Sequence, residues 1–516
     1  MSAEPPPSLA PSAAPRKSRS LVALGGLIWL VAQTLGTRTA SILSQILLAR
    51  LLSPATFGAV GLVYGLTTIA SALANFGVDT VLLQRHKTLP LWISPGFWTS
   101  AGLGLVGFAV TAAAAPFAAA LYHSADFVPL ALTFAVSIPL AAMTTVPTVL
   151  LRTQLNFRFV AIYNVAEFTA LQIATVVLAW RGCGAFSFVI PTPVLALVRL
   201  LVFCNVAPFS LKRRFKLRQL FYLIENGFSV FTTKFIIQVI SQGDYFILGL
   251  TATKAEVGLY YFSFKLSTQT VWLLVGNISN VIQPMLVKFS GRVQEQVSVT
   301  WNICRLMAFA AIPACFLQAF EAQSVIKICF GNKWLGAWPI VAILSIALGA
   351  DAITWITGSF LQARKEYRRN LIYNLALAPL FFGLAYIGAH EGRAYGVAAI
   401  GTAIGVGLYY IIFGPTMAGL ALARYGVRWS AIFGLFLRPA ALAAAACAIA
   451  ATDRLLPWPD SLLIVQVVLE CAVWAVAYAV LLWMFDRNVL LDLVGRFLPD
   501  RHALRVRRLL SPRASV

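Results

Sequence analysis

Fourteen apolar runs, each long enough to cross a bilayer and separated by fifteen residues at most, leave this 516-residue chain with one possible solvent. A membrane helix needs about 20 apolar residues to span the hydrocarbon layer, and it satisfies its own backbone polar groups there. The runs cover approximately 21–49, 57–84, 95–121, 127–151, 160–180, 184–208, 224–250, 257–287, 300–325, 336–362, 370–388, 394–420, 430–451 and 461–485. No connection between them has room for a folded domain outside the membrane. Composition points the same way: 59% of residues are hydrophobic and only 11% charged, against about 25% charged in an ordinary soluble domain. A water-soluble enzyme is excluded.

The chain carries 40 Lys and Arg against 18 Asp and Glu, a net +22. Concentrated on a soluble module, that excess would suggest nucleic acid. Here it is dispersed over short loops, which suits contact with anionic phospholipids and argues against nucleic acid as a partner. With the N-terminus placed inside, 27 bases fall on inside connections and tails. Only seven (Arg50, Arg181, Lys254, Lys327, Lys333, Arg393 and Arg454) fall outside. That alternation predicts fourteen helices with both termini cytoplasmic. Trp98, Trp180, Trp338, Trp429 and Trp483 near segment ends fit an interfacial belt.

The organisation follows. Residues 1–20, rich in Pro, Ala and Ser with Arg16, Lys17 and Arg19, read as a disordered cytoplasmic leader rather than a signal peptide. A short repeat at an offset of 200 relates Ser53-Pro-Ala-Thr-Phe-Gly58 to Thr253-Lys-Ala-Glu-Val-Gly258. The expected fold is therefore an all-α polytopic membrane protein with two six-helix lobes related by a parallel pseudo-twofold repeat, plus two C-terminal helices. The lobes are 21–208 and 221–420, joined by a basic linker at 209–220. Helices thirteen and fourteen occupy 421–485, and a basic cytoplasmic tail 486–516.

Sites of covalent chemistry are not evident. Seven cysteines stand singly without a C-x-x-C pair, and four histidines are scattered, so neither a disulfide framework nor a metal site is indicated. There is no Walker A sequence and no catalytic triad with loop context. Gly102-Leu-Gly-Leu-Val-Gly107 matches a dinucleotide fingerprint but lies inside an apolar span, where small residues serve helix packing. No catalytic residue and no cofactor is expected.

Charged residues inside apolar segments are costly and hence candidates for function. In the first segment Thr34, Arg38, Ser41 and Gln45 form one stripe at helical spacing. The second carries Thr68, Ser71, Asn75 and Asp79. The seventh carries Lys234, Gln238 and Ser241, with Asp244 a turn on. The eighth carries Lys265, Gln269, Trp272, Gly276 and Asn280. Such faces must line a cavity or one another. The alternative for Arg38 with Asp79, and for Lys234 with Asp244, is a structural ion pair. Arg199 lies deep in the sixth segment. Arg305 and Arg438 are close enough to the cytoplasmic ends to reach lipid phosphates. Glu167, Glu225, Asp351 and Glu470 are carboxylates that hold a proton or pair with a base.

The stretch Leu48-Ala-Arg-Leu-Leu-Ser-Pro-Ala-Thr-Phe-Gly58, followed by Asn75-Phe-Gly-Val-Asp79 and Val81-Leu-Leu-Gln-Arg85, resembles Wzx-type oligosaccharide flippases of the multidrug/oligosaccharidyl-lipid/polysaccharide exporter superfamily. Asp244-Tyr-Phe-Ile-Leu-Gly249, Val257-Gly-Leu-Tyr-Tyr-Phe-Ser-Phe-Lys265 and Pro284 are similar to the same pattern in the second half. Many members have twelve helices; fourteen resembles the peptidoglycan-precursor exporters. The resemblance implies flipping of undecaprenyl-pyrophosphate-linked oligosaccharide from the cytoplasmic to the periplasmic leaflet of a bacterial inner membrane. It further implies exopolysaccharide or lipopolysaccharide synthesis, with polysaccharide polymerase and export proteins as partners. Arg38, Lys234 and Lys265 would then meet the pyrophosphate; Gln45, Asn75, Gln238, Gln269 and Asn280 would meet sugar hydroxyls, Trp272 would belong to the same substrate site, and Asp79 and Asp244 would serve coupling or ion pairing. Two other classes stay open: a drug or cation antiporter of the same superfamily, and a membrane-embedded glycan polymerase or transferase.

Overall fold

A computed structural model describes residues 36–154, 156–211, 217–276, 282–283, 285–287, 289, 291–455, 459 and 462–487. The leader, Thr34, Asn280, Pro284 and nearly all of the basic tail lie outside the described residues. Among those described, all regular structure is helical. The first half contains α1 (36–51), α2 (Pro54–Ala74), α3 (Val78–Gln84), α4 (Ile93–Leu121), α5 (Phe127–Ala135), α6 (Ser137–Met143), α7 (Thr145–Thr153), α8 (Phe157–Trp180), α9 (Phe186–Val189) and α10 (Pro191–Val206). The second contains α11 (Leu217–Thr251), α12 (Lys254–Val271), α13 (Val293–Phe320), α14 (Ala322–Cys329), α15 (Trp338–Ala363), α16 (Tyr367–Ala394) and α17 (Ala398–Leu422). Helices α18 (Trp429–Ala450) and α19 (Leu463–Phe485) follow.

Eleven of the described helical stretches are long and apolar enough to cross a membrane. This is a multi-pass membrane protein, with eleven spans by that measure among the described residues. Of the three remaining apolar segments, the seventh and eighth coincide with α11 and α12, each of which carries a polar stripe, and the first is described only over 36–51. The five belt tryptophans are all exposed.

Breaks in the helices follow from proline chemistry. Proline lacks an N–H and its ring clashes with the carbonyl four residues back. Pro139 and Pro147 therefore interrupt the 127–153 span near Val136 and Thr144, producing α5, α6 and α7 in place of one rod. Buried hydroxyls are satisfied locally: Thr67 Oγ1 donates to the Val63 carbonyl at 2.7 Å and Thr111 Oγ1 to Gly107 at 2.9 Å.

The offset-200 repeat has a structural counterpart. Ser53 caps α2 by accepting from the Thr56 N–H, and Thr253 caps α12 in a capping box with Glu256. The two helix starts then cross each other. A Cβ on Gly58 would collide with the Lys254 carbonyl oxygen, and one on Gly258 with the Pro54 carbonyl oxygen. Each contact is the other shifted by 200 residues, the reciprocity expected across a twofold axis.

The same end of the molecule holds a second set of contacts between the halves. Arg50 donates to the carbonyls of Ile328 (2.8 Å) and Cys329 (3.1 Å). Lys333 Nζ donates to the carbonyls of Arg50 (2.7 Å) and Leu52 (2.9 Å). Trp334 Nε1 donates to the Ala49 carbonyl at 2.8 Å. The Trp334 ring is fully buried between Phe57 and Phe262, with centroids 5.0 and 4.3 Å away. This closed end is called the Arg50 face. Other loops expected to share a side also meet: Arg364 bonds Gln296 (3.1 Å), Glu366 (3.0 Å) and Tyr425 (3.0 Å).

Helices α18 and α19 pack on α13. The Tyr478 hydroxyl donates to the Phe309 carbonyl at 3.0 Å. Arg305 and Arg438, expected to reach lipid phosphates, instead share Asp486 at 3.3 and 4.0 Å.

Candidate functional site

The stripes on α1 and α12 face each other across one cavity of about 430 Å³. Arg38 and Gln45 enter it from α1, and Lys265 and Gln269 from α12. Trp272 opens the π-helical turn that follows. Arg38 Nη1 donates to Gln269 Oε1 at 2.9 Å, and its guanidinium lies 5.1 Å from the Trp272 ring centroid. Lys265 Nζ donates to the Tyr261 hydroxyl at 3.2 Å. Among the described residues no carboxylate pairs with Arg38 or Lys265. Two bases from different halves thus face one space without a counter-ion. The Gln45 amide nitrogen is buried and unpartnered beside them.

Two further cavities adjoin this one. In the first half, a space of about 600 Å³ shares Arg38 and Phe168 with it. This space contains Arg199, whose Nη1 meets Glu167 Oε2 at 2.7 Å. In the second half, a space of about 440 Å³ shares Thr268 and Trp272 and contains Asp351.

The remaining predicted residues lie elsewhere. Lys234 is exposed on α11 and, like Gln238, lines neither the central nor the second-half cavity. Asn75 ends α2 by donating to the Ser71 carbonyl at 3.1 Å. Asp79 sits in the first turn of α3, past the break at Gly77, and accepts from Thr80 at 3.3 Å. Asp244 is buried; its Oδ2 accepts from the Tyr260 hydroxyl at 2.8 Å and its Oδ1 from the Tyr245 N–H at 2.9 Å. Neither the Arg38–Asp79 nor the Lys234–Asp244 ion pair forms. Lys234 and Asp244 are ten residues apart on one helix, about 15 Å along its axis. Arg38 turns to the second half, away from Asp79.

Sequence reasoning missed Tyr261 beside Lys265, the indole and hydroxyl that orient Asp351, and the bonds closing the Arg50 face. Only the second had a readable signal: Asp351, Thr354 and Trp355 stand at i, i+3 and i+4 on one helix face.

Comparison with known proteins places this geometry in context. A family profile described as "Polysaccharide biosynthesis protein" matches residues 47–339. The succinoglycan biosynthesis transport protein ExoT of Rhizobium meliloti is 22% identical over 62% of this chain, and the match spans 65% of its own length. The lipopolysaccharide biosynthesis protein WzxC of Escherichia coli is 19% identical over 72% of this chain and 76% of its own. Among solved structures, the lipid II flippase MurJ in an inward closed conformation aligns with a TM-score of 0.72 at 14% identity. That alignment covers 88% of this chain and 98% of MurJ. An inward-facing multidrug resistance MATE family transporter of the MOP superfamily aligns at 0.58 and 15% identity, over 76% and 96%. The fold is the one those transporters share.

Proposed function

The chain belongs to the polysaccharide biosynthesis protein family, and from that membership we propose that it flips undecaprenyl-pyrophosphate-linked oligosaccharide repeat units from the cytoplasmic to the periplasmic leaflet of a bacterial inner membrane. One observation carries the reading: Arg38 and Lys265, uncompensated, reach one cavity from two halves of the molecule. A pyrophosphate crossing a low-dielectric layer needs paired charge, and a guanidinium suits its oxygens in a forked geometry. The polyprenyl tail stays in lipid while rocking of the halves transfers the headgroup. In this reading the Arg50 face is periplasmic and both termini are cytoplasmic. The protein is a transporter without catalysis of its own, and polysaccharide polymerase and export proteins receive its product. Of the two acids expected to serve coupling, Asp244, buried without a base, is assigned that role; Asp79 and Lys234 take no part in holding the headgroup.

The test is flipping of a polyprenyl-pyrophosphate-linked oligosaccharide by the protein in vesicles. Losing a hydrogen bond to a charged group costs about 1.5–3 kcal/mol, so Arg38→Ala and Lys265→Ala should each slow flipping roughly ten- to a hundredfold. Wild-type rates in both variants, or transport of an organic cation in place of the glycolipid, would remove the reading.

A further inference from the structure

The cavity of the second half has a different chemistry from its neighbour. It has aromatic walls and amides: Trp272 and Trp355 meet edge to face with centroids 4.6 Å apart, and Tyr410, Asn370 and Asn374 add polar edges. Its lining contains one acid, Asp351, and no base. Asp351 is held in place from its own helix: Oδ1 accepts from Thr354 Oγ1 at 2.6 Å and Oδ2 from Trp355 Nε1 at 3.1 Å. Each carboxylate oxygen keeps a second lone pair for an incoming hydroxyl. Asn374 donates to the Asn370 carbonyl at 2.7 Å, which leaves its own carbonyl oxygen for a ligand. At about 440 Å³ the space is within the range of small-molecule pockets.

We propose that this cavity is a subsite for uncharged sugar, which takes the hexose units next to the carrier while the pyrophosphate rests at Arg38 and Lys265. The assignment builds on the flippase reading above and adds a direction and a selectivity to it. Trp272 marks the border. Arg38 covers its ring in the central cavity, and Trp355 meets it from the second-half cavity. An indole offers the apolar face of a pyranose a flat surface, while amides and a carboxylate take its hydroxyls. A uronic acid placed in the same space would face Asp351 with no base in the lining, and like charges at close range repel. The two adjoining cavities thus sort one ligand by charge: anion on the Arg38 side, neutral polyol on the Asp351 side.

The experiment uses the full chain in nanodiscs and three probes: farnesyl pyrophosphate, the same lipid carrying a neutral trihexoside, and the same lipid carrying its uronic acid counterpart. Binding is measured by calorimetry. The neutral glycolipid should bind at least tenfold tighter than the sugar-free probe, and tighter than the uronic form. Asp351→Asn and Trp355→Leu should erase most of that gain while leaving farnesyl pyrophosphate affinity within about twofold. Asn374→Ala, on a different helix, should reduce it as well and guards against a local folding defect in α15. Equal binding of sugar-free and neutral probes to the wild type would overturn the subsite, as would a gain that survives all three substitutions. The flippase reading is judged separately by farnesyl pyrophosphate itself, whose binding should weaken at least tenfold in Arg38→Ala.

Discussion

Asp244 and Arg38 are ionisable groups deep among apolar helices, and neither meets a partner of opposite charge among the described residues. Asp244 is held by the Tyr260 phenol and Arg38 by the Gln269 amide. Tyr260→Phe strips a buried carboxylate of a donor and should cost about 1–3 kcal/mol, measured as a lower unfolding temperature in detergent. The change at Gln269 should read differently: Gln269→Leu frees Arg38 without burying a new polar group, so stability should hold while affinity for farnesyl pyrophosphate changes. These pairings explain what could be read in advance. Polar spacing on α1 and α12 found Arg38, Gln45, Lys265, Gln269 and Trp272, because a polar stripe on a membrane helix must face a cavity or another stripe. The same spacing on α11 misplaced Lys234, because periodicity says which residues share a face and not what that face meets. Tyr260 and Tyr261 gave no signal at all. Tyrosine counts as apolar in a hydropathy pattern, yet its hydroxyl supplies the partner for Asp244 and for Lys265.

At the scale of elements, the attachment of α18 and α19 rests on a buried charge cluster. Arg454, at the end of the turn after α18, donates to both oxygens of Glu470 on α19, at 2.8 Å for the shortest bond. It also lies 3.7 Å from Glu321, between α13 and α14. Both glutamates are almost wholly buried, and neither Glu321 oxygen has a hydrogen-bond partner among the described residues. Two acids therefore share one base. Burial first, and then the neighbouring Glu470 carboxylate, push the Glu321 carboxyl up to about 8 from 4.5, against the pull of Arg454. The folded state thus keeps a proton that the unfolded chain releases above about pH 4.5. Stability on this account falls as pH rises from there to about 8 and is flat beyond. Glu321→Gln should flatten that slope and raise the unfolding temperature at pH 8. Arg454→Ala should do the opposite, leaving two buried acids unpaired at a cost of about 3–5 kcal/mol. Thermal unfolding across the pH range checks both.

For the whole molecule, the pattern of runs conveyed the architecture because lipid allows a long apolar segment few structures besides a helix. The repeat was readable only as a six-residue likeness. Its significance lay in the crossing of Gly58 and Gly258, a contact between residues 200 positions apart that no local pattern contains. Gly58→Ala and Gly258→Ala should each force α2 and α12 apart and cost about 1–3 kcal/mol, as overpacking does. Reciprocity makes the two losses similar. Equal effects in thermal unfolding would support the twofold relation, and a large loss at one site alone would break it. The arrangement in the membrane has its own test. Reporter fusions after Arg368 and Ser511 should read cytoplasmic, and fusions after Ala125 and Glu391 periplasmic. A periplasmic Ser511 fusion would mean an odd number of spans.

The bonds from Arg50, Lys333 and Trp334 also set how rarely an idle protein opens the Arg50 face. Five hydrogen bonds to backbone carbonyls cross between the halves there. At a net of about 0.5–1.5 kcal/mol each, parting them takes roughly 3–7 kcal/mol. With 1.4 kcal/mol to a decade, the open form of an unladen molecule is rarer than the closed one by roughly two to five powers of ten. Only a ligand that binds the open form better can offset that ratio. A double Arg50→Ala, Lys333→Ala protein would lose four of the five bonds and hold the ratio only weakly. A cysteine placed at the Arg50 face of that protein should react with a membrane-impermeant thiol reagent faster than the same cysteine in the otherwise unaltered protein.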